Sequence, residues 1–196
     1  MNLVEVTSPQ HAKLFLEMPL SIYKNDPEYI RPLDKDIQAV FDPEQNKLFK
    51  TGSCIRWLLY NDEKVLVGRI AAFVNKKYKQ SQPTGGFGFF ECIDNQEYAN
   101  LLLDTAKKWL ENNGMVAMDG PINFGERDKF WGLLIKGFME PLYGLNYNPP
   151  YYQALFENYG LQIYFNQLCF GMNKEDGLSD RFYKWHKQYA EDPNFS

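Results

Sequence analysis

An amphipathic helix between two short apolar segments constrains the fold of this chain more than any other feature. Apolar side chains recur at helical spacing within residues 95–113, at Tyr98, Leu102, Leu103, Ala106, Trp109 and Leu110. Asp94 is the predicted N-cap, and Glu97 completes a variant of the capping box. The flanking residues 87–93 and 115–118 have the apolar character of strands. Strand, helix and strand in this order predict a sheet covered by helices.

The other predicted elements extend this sheet with antiparallel strands. Residues 54–60 and 65–74 are rich in β-forming side chains and are joined by a polar segment, which predicts a hairpin. The remaining predictions are a strand at 3–7, helices at 9–17, 34–41 (capped by Asp34) and 151–159, a loosely alternating strand at 161–172, and a final helix capped by Ser179. The order predicts an α/β (α+β) fold with a mixed, mostly antiparallel central sheet flanked by helices.

The charge balance argues against several classes of partner. The chain has 21 basic and 25 acidic residues and a net charge of −4, so no global field attracts nucleic acid or an anionic membrane. Its longest apolar stretch, residues 65–74, is far shorter than the roughly 20 residues needed to cross a bilayer. The N-terminal residues lack the pattern of a signal peptide. We therefore expect a cytoplasmic protein with neither nucleic-acid nor membrane partners.

The cysteine and histidine content also limits the chemistry. Three cysteines without a C-x-x-C pair are typical of free thiols in a reducing compartment. His11 and His186 are the two histidines, which argues against a histidine-built metal site or a Ser-His-Asp triad. We expect no metal. The sequence does not indicate whether the chain forms homo-oligomers.

A long segment at residues 119–148, rich in glycine and aromatic residues, has no clear periodicity. With fifteen Phe, thirteen Tyr and four Trp, the chain has more rings than one core needs, which favours a pocket or a partner surface. The side chains expected to line a small-molecule pocket are Glu126, Arg127, Trp131, Tyr143, Asn146, Tyr147 and Asn148. A packed Ω-type loop is an equally open interpretation.

Four stretches resemble a group of bacterial GNAT-like proteins: VGRIAAFVN, GFGFFECIDN, WLENNGMVAMDGPIN and YNPPYYQALFENYGL. The resemblance implies the GNAT acyltransferase fold, with its fourth strand, third helix and fifth strand at residues 87–93, 95–113 and 115–118. A second GNAT-like half usually follows in that group. We therefore expect a GNAT-like domain at residues 1–172, and a helix or linker at 173–196 towards a second domain.

The resemblance also implies a cleft between the fourth and fifth strands, where acetyl-CoA or another acyl-CoA lies along the fourth strand. The residues expected to contact this coenzyme are Phe89, Phe90, Glu91, Cys92, Asn95 and Asn123. Glu91 matches the position of the base in some family members. Tyr151, Tyr152 and Tyr159 are candidates for the acid that protonates the leaving thiolate, and nothing in the sequence selects one of them. The acceptor is expected to be a small-molecule amine.

Two positions depart from the family pattern. The glycine-rich pyrophosphate loop is replaced by a segment from Glu91 to Glu97 that has no glycine and three acids, which repel a pyrophosphate. Phe156 occupies the position of the usual tyrosine acid. The sequence therefore leaves two alternatives: an acyltransferase that uses acyl-CoA and an amine, or a catalytically degenerate GNAT-like module that binds a ligand or partner.

Overall fold

The computed structural model describes residues 1–77, 80–171, 175 and 177–191 of the chain. Contacts between residues divide the chain into two compact units, Met1–Gln162 and Ile163–Ser196. The domain boundary expected between residues 172 and 173 stays a prediction, since residues 172–174 lie outside the described ranges.

The first unit is built on a five-stranded mixed sheet. Its strands in chain order are β1 (Asn2–Glu5), β2 (Gly52–Tyr60), β3 (Leu66–Asn75), β4 (Thr84–Cys92) and β5 (Ala117–Asp119). The strands lie in the same order across the sheet, and each neighbouring pair is antiparallel up to β4, whereas β4 and β5 are parallel. A parallel pair needs a crossover connection, which the helix between them supplies. The expected fold class is confirmed.

Five α-helices belong to this unit in its described residues: α1 (Pro9–Glu17), α2 (Pro19–Ile22), α3 (Asp34–Val40), α4 (Gln96–Asn112) and α5 (Tyr152–Tyr159). A short 3-10 helix spans Lys47–Lys50. α1 starts as predicted, with Ser8 as its N-cap. The prediction that Asp34 caps α3 was wrong, because Leu33 is the N-cap and Asp34 is the first helical residue. The Asp34 carboxylate instead accepts two hydrogen bonds from Arg31, at 2.7 and 2.9 Å.

Helix α4 forms where its periodicity predicts, but its N-cap is Asn95 rather than Asp94. The Asn95 side-chain oxygen accepts from the Tyr98 N–H at 3.1 Å. Asp and Asn are equally good caps, so two adjacent candidates left the sequence prediction one residue off. The buried side of the helix consists of Ala99, Leu102, Leu103, Ala106 and Leu110, all at most 2% exposed. Burial of each leucine stabilises the folded state by roughly 1.5–3 kcal/mol. This burial holds α4 against the sheet.

Both faces of the sheet are buried. Successive residues of β2 and β3 alternate between two apolar clusters, so that Leu58 and Ala71 contact one cluster and Leu59 and Ile70 contact the other. Residues of α4 and α5 complete the cluster around Leu59, and residues of α1 and α3 complete the cluster around Leu58. The sheet is therefore the central layer of the unit.

The second unit contains helix α6 (Asp180–Ala190), which begins after Ser179 as predicted. The strand predicted at 161–172 is not formed in residues 161–171, and Met172 lies outside the described residues. Side-chain alternation alone does not make a strand, because a strand also needs a neighbouring backbone. None of the helices in the described part of the chain has the length and apolar content to cross a membrane.

Candidate active site

β4 and β5 pair over a short distance. Their parallel ladder joins Thr84–Gly86 to Ala117–Asp119, after which the Ile122 N–H donates to the Phe87 carbonyl at 2.8 Å. Gly88 permits this approach, since a Cβ there would lie 1.8 Å from the Ile122 carbonyl oxygen. β4 continues to Cys92, whereas β5 ends at Asp119, and the cleft that the family resemblance implies between them stays a prediction.

A β-bulge in β4 sets the direction of its side chains beyond Gly88. Two steps on β3, from Arg69 to Ala71, are opposed by three steps on β4, from Gly88 to Glu91, and Phe89 has a positive φ of 49°. The bulge shifts the alternation by one residue. As a result Phe89 contacts the cluster around Leu58, and Glu91 faces Arg69 on the same side.

Glu91 is the centre of a buried hydrogen-bond network. Its Oε2 accepts from the hydroxyl of Tyr152 at 2.8 Å and from the hydroxyl of Tyr23 at 3.0 Å. Its Oε1 lies 3.4 Å from Nη2 of Arg69, in an ion pair whose side chains are 11% and 4% exposed. Arg69 also donates to the Phe15 carbonyl, and its guanidinium lies 4.7 Å from the centre of the Phe15 ring. Three separate chain segments thus converge on one carboxylate.

Burial raises the pKa of the Glu91 carboxyl, and the charge of Arg69 and the hydroxyl donors oppose this rise without cancelling it. Burial, with Glu91 nearby, also raises the pKa values of Tyr23 and Tyr152, so both phenols stay protonated and act as donors. A carboxylate with a raised pKa takes a proton from an ammonium group more readily than an exposed glutamate does. The site is therefore suited to a general base.

Three tyrosines pack together beside this network. The rings of Tyr23 and Tyr29 are stacked, with centroids 3.9 Å apart, and the Tyr147 ring is tilted by 54° to Tyr23 at 5.9 Å. The Tyr147 hydroxyl donates to Asp26 at 2.9 Å. Burial raises the pKa values of Tyr29 and Tyr147 to about 12, so both rings are neutral at physiological pH. These rings form an aromatic wall next to Glu91.

A cavity of about 60 Å³ lies beside the C-terminal end of β4. Glu91, Arg69 and Tyr152 line it, together with Tyr29 and the predicted pocket residues Asn146, Tyr147 and Asn148. One water needs roughly 10–15 Å³, so the cavity has room for a small polar group against the carboxylate.

Tyr151 and Tyr152 lie at the end of β4, close to the candidate base. The Tyr152 hydroxyl accepts from the Cys92 N–H, and the Tyr151 hydroxyl donates to the Cys92 carbonyl, both at 2.8 Å. The peptide groups of Cys92, expected to contact the coenzyme, are therefore bonded to side chains of this chain. The Cys92 thiol itself is buried, which raises its pKa to about 12 and keeps it protonated.

The other predicted site residues are only partly gathered here. Phe89 and Phe90 line the cavity, whereas Tyr143 lines a second cavity beside it. Asn123 is buried and its Oδ1 has no hydrogen-bond partner. The residues that line neither cavity are Cys92, Asn95, Asn123, Glu126, Arg127, Trp131 and Tyr151. The assigned roles of all these residues stay predictions.

Tyr23 and Arg69 were missed by the sequence analysis, although they hold Glu91 directly. Arg69 did carry a signal: a charged residue inside an otherwise apolar, buried strand needs a buried partner. Tyr23 carried none, because it lies in a proline-rich segment 68 residues before Glu91. Its position depends on the tertiary fold.

The N-terminus of α4 does not fit the pyrophosphate of coenzyme A. Asn95 already accepts from the Tyr98 N–H, Glu97 lies in the first turn, and residues 91–97 contain no basic side chain. A helix N-terminus binds an anion through free N–H groups, and neighbouring acids oppose such binding. Within the described part of the chain, no group of three or more His, Cys, Asp or Glu residues is arranged to hold a metal ion.

Comparison with known proteins finds two curated relatives, each 28% identical to this chain. Protein YghO of Escherichia coli strain K12 matches over 172 residues, 84% of this chain and 42% of that protein. The bacterial ceramide synthase of Caulobacter vibrioides matches over 157 residues, 78% of this chain and 40% of that protein. The chain thus spans about two fifths of these relatives, and the second GNAT-like domain stays a prediction. No family model matches.

Solved structures of GNAT acetyltransferases are similar to this chain at low sequence identity. The aminoglycoside antibiotic 6'-N-acetyltransferase of Acinetobacter baumannii is 12% identical, with 88% of this chain and 97% of that chain covered and a TM-score of 0.48. A GNAT-family acetyltransferase of Staphylococcus aureus is 20% identical, with 58% and 68% covered and a TM-score of 0.40.

Proposed function

We propose that this chain is a GNAT-like N-acyltransferase domain in which Glu91 binds the amino group of the acceptor and removes a proton from it. The observation that carries the proposal is a buried carboxylate, with a raised pKa, lining a cavity beside the C-terminal end of β4. A primary amine is an ammonium ion at neutral pH. Its nitrogen has no free lone pair until a base removes one proton.

The geometry of Glu91 suits this proton transfer. Oε2 accepts from two tyrosine hydroxyls, whereas Oε1 has a single long contact of 3.4 Å with Arg69 and is the oxygen left to accept from an ammonium. The proton moves from the nitrogen to Oε1, and the nitrogen lone pair becomes the nucleophile. The hydroxyls of Tyr23 and Tyr152 hold the carboxylate in position meanwhile.

The acyl donor expected from the family resemblance is acetyl-CoA or another acyl-CoA. An acyl thioester supplies the carbonyl carbon that the amine attacks. The C–S bond breaks as the C–N bond forms, and the leaving thiolate takes up the second proton that the nitrogen loses, so that the products are an amide and a free thiol. Because the start of α4 does not fit a pyrophosphate, we assign no role to this helix in binding the donor.

The likeness to the bacterial ceramide synthase of Caulobacter vibrioides supports an amine acceptor. A ceramide is an amide of a fatty acid with a long-chain amino alcohol, so a ceramide synthase forms the same type of bond as the one proposed here. This chain spans 40% of the Caulobacter ceramide synthase. An activity that needs the rest of that length is therefore only proposed for this chain.

The alternative is a GNAT-like module that binds a ligand or a partner without catalysis. It is favoured by the Cys92 peptide groups, whose hydrogen-bonding capacity is taken by Tyr151 and Tyr152. It is also favoured by Phe156, which has no proton to donate to a leaving thiolate.

Two measurements on the whole chain separate these alternatives. The first is calorimetric titration with acetyl-CoA to millimolar concentration, and the second is thiol release from acetyl-CoA in the presence of decylamine. The acyltransferase proposal predicts binding and amine-dependent thiol release, with release falling at least a hundredfold in Glu91→Gln, the size typical of losing a general base. Absence of both heat and thiol release favours the binding module, and equal rates in Glu91→Gln and the wild type would refute the role of Glu91.

A further inference from the structure

A second cavity, of about 300 Å³, opens beside the one that contains Glu91. Its walls come from two segments, residues 30–36 and residues 129–145. The lining is predominantly apolar, with Ile30, Leu33, Phe130, Pro141, Leu142 and Leu145. Its volume is at the lower end of the range of about 300–1,000 Å³ that is usual for ligand pockets. We call it the apolar groove.

Two hydrogen bonds join residues 28–36 to residues 140–143 at the groove. The Tyr143 hydroxyl donates to the Asp36 carboxylate, and the Glu140 N–H donates to the Glu28 carboxylate at 2.9 Å. The groove is therefore formed by the protein itself, and a ligand entering it does not have to order its walls.

The apolar side chains of the groove are unusually exposed for their size. Leu142 is 75% exposed, Leu33 is 49% exposed and Ile30 is 47% exposed, and all three line the same groove. Single exposed apolar residues are ordinary, whereas a cluster that lines a concavity marks a binding site. A ligand with an apolar part would remove this surface from water.

The groove and the Glu91 cavity are neighbours. The residues that line both of them are Ile30, Arg31, Pro32, Phe130 and Leu145. A buried carboxylate in one cavity thus lies next to a groove with apolar walls. Arg31, which lines both cavities, donates from Nη2 to both carboxylate oxygens of Asp34, so its charge already has a partner.

We propose that the apolar groove binds the alkyl chain of an amphipathic primary amine whose amino group lies at Glu91. This inference rests on the proposed function and names the class of acceptor: a long-chain amine rather than a small polar one. The charge of the carboxylate selects the cationic head, and the groove selects the chain. Affinity therefore depends on the length of the alkyl chain, by about fourfold for each methylene that is buried.

The test uses unbranched primary alkylamines from butylamine to decylamine, and 1-alkanols of the same lengths, titrated calorimetrically into the whole chain below their micelle concentrations. In the wild type, affinity rises about fourfold per methylene in both series, and each amine binds more tightly than the alkanol of equal length. Leu142→Asp reduces the length dependence. Val116→Asp is the matched control, because Val116 is 70% exposed and lines neither cavity.

Each part of the inference has its own refuting result. The groove is refuted as the binding site of the alkyl chain if affinity does not depend on chain length. It is also refuted if Leu142→Asp and Val116→Asp change that dependence equally, even if amines still bind more tightly than alkanols. The binding of the amino group by Glu91 is refuted if amines and alkanols of equal length bind with the same affinity in the wild type and in Glu91→Gln. This holds even if affinity still depends on chain length. Thermal unfolding of both aspartate variants checks that they fold, as expected for substitutions at exposed positions.

Discussion

Arg69→Met separates the charge of the guanidinium from the space that its side chain fills. In the folded chain Arg69 is 4% exposed, pairs with Glu91 at 3.4 Å and donates to the Phe15 carbonyl. Methionine retains much of the apolar volume against the Phe15 ring but provides neither contact. The variant therefore leaves a buried carboxylate without its counter-charge.

The size of the effect follows from this burial. Removing one partner of a buried ion pair lowers the free energy of unfolding by about 3–5 kcal/mol, because the remaining charge is buried without an opposite charge. Since Arg69 lowers the pKa of Glu91 in the wild type, its removal raises that pKa further above the ordinary range. Protonation of Glu91 then relieves part of the cost at acid pH.

The pH dependence has a definite sign. A carboxyl whose pKa is raised by folding stabilises the folded state below the unfolded pKa, and that contribution is lost as pH rises through the folded value. Urea unfolding at pH 5 and pH 8 should therefore show that Arg69→Met lowers the free energy of unfolding more at pH 8 than at pH 5. In a Glu91→Gln background, where no charge remains to bury, the same substitution should cost less at pH 8.

The reasoning would be refuted by a cost of Arg69→Met that is the same at both pH values and is unchanged in the Glu91→Gln background. That result would mean that the two side chains are not coupled in the folded state, and that the carboxylate is better solvated than its burial indicates.

Three further substitutions test separate parts of the structure. Gly88→Ala should destabilise the first unit by several kcal/mol or prevent folding, because the new Cβ would lie 1.8 Å from a backbone oxygen; Gly171→Ala, with no atom within 4 Å, is the control in thermal unfolding. Asn95→Ala should lower the free energy of unfolding, measured with urea, by about 1 kcal/mol, because the N-cap of α4 is lost. Asp94→Ala should lower it less. The reverse order would contradict Asn95 as the cap. Tyr152→Phe should lower the free energy of unfolding by about 1–3 kcal/mol, because it leaves the buried Cys92 N–H without its acceptor. A change near zero would show that water replaces the hydroxyl.

Local sequence patterns predicted much of the first unit. The periodicity of α4, the hairpin of β2 and β3, and the end of α5 at Gly160 all depend on residues close together in sequence. Such signals survive in a single sequence because helix stripes, turns and left-handed glycines are local requirements. The choice between Asp94 and Asn95 failed because both satisfy the same local rule.

The site could be predicted only in part, because its contacts join distant segments. Glu91 was identified through the family resemblance, whereas Tyr23 and Arg69 reach it from elsewhere in the fold. The bulge at Phe89 also lacks a sequence signal, since phenylalanine rarely adopts a positive φ, yet it turns Glu91 towards these partners. The aromatic wall formed by Tyr23, Tyr29 and Tyr147 likewise depends on tertiary packing.

Carbon-13 NMR of the glutamate side-chain carboxyls, recorded across pH with and without decylamine, tests most directly whether Glu91 binds an amine. The account predicts one resonance, absent from Glu91→Gln, that titrates above the ordinary value for glutamate because of burial and shifts when decylamine is added. A Glu91 resonance that titrates at or below the ordinary value and is unaffected by decylamine would contradict the account.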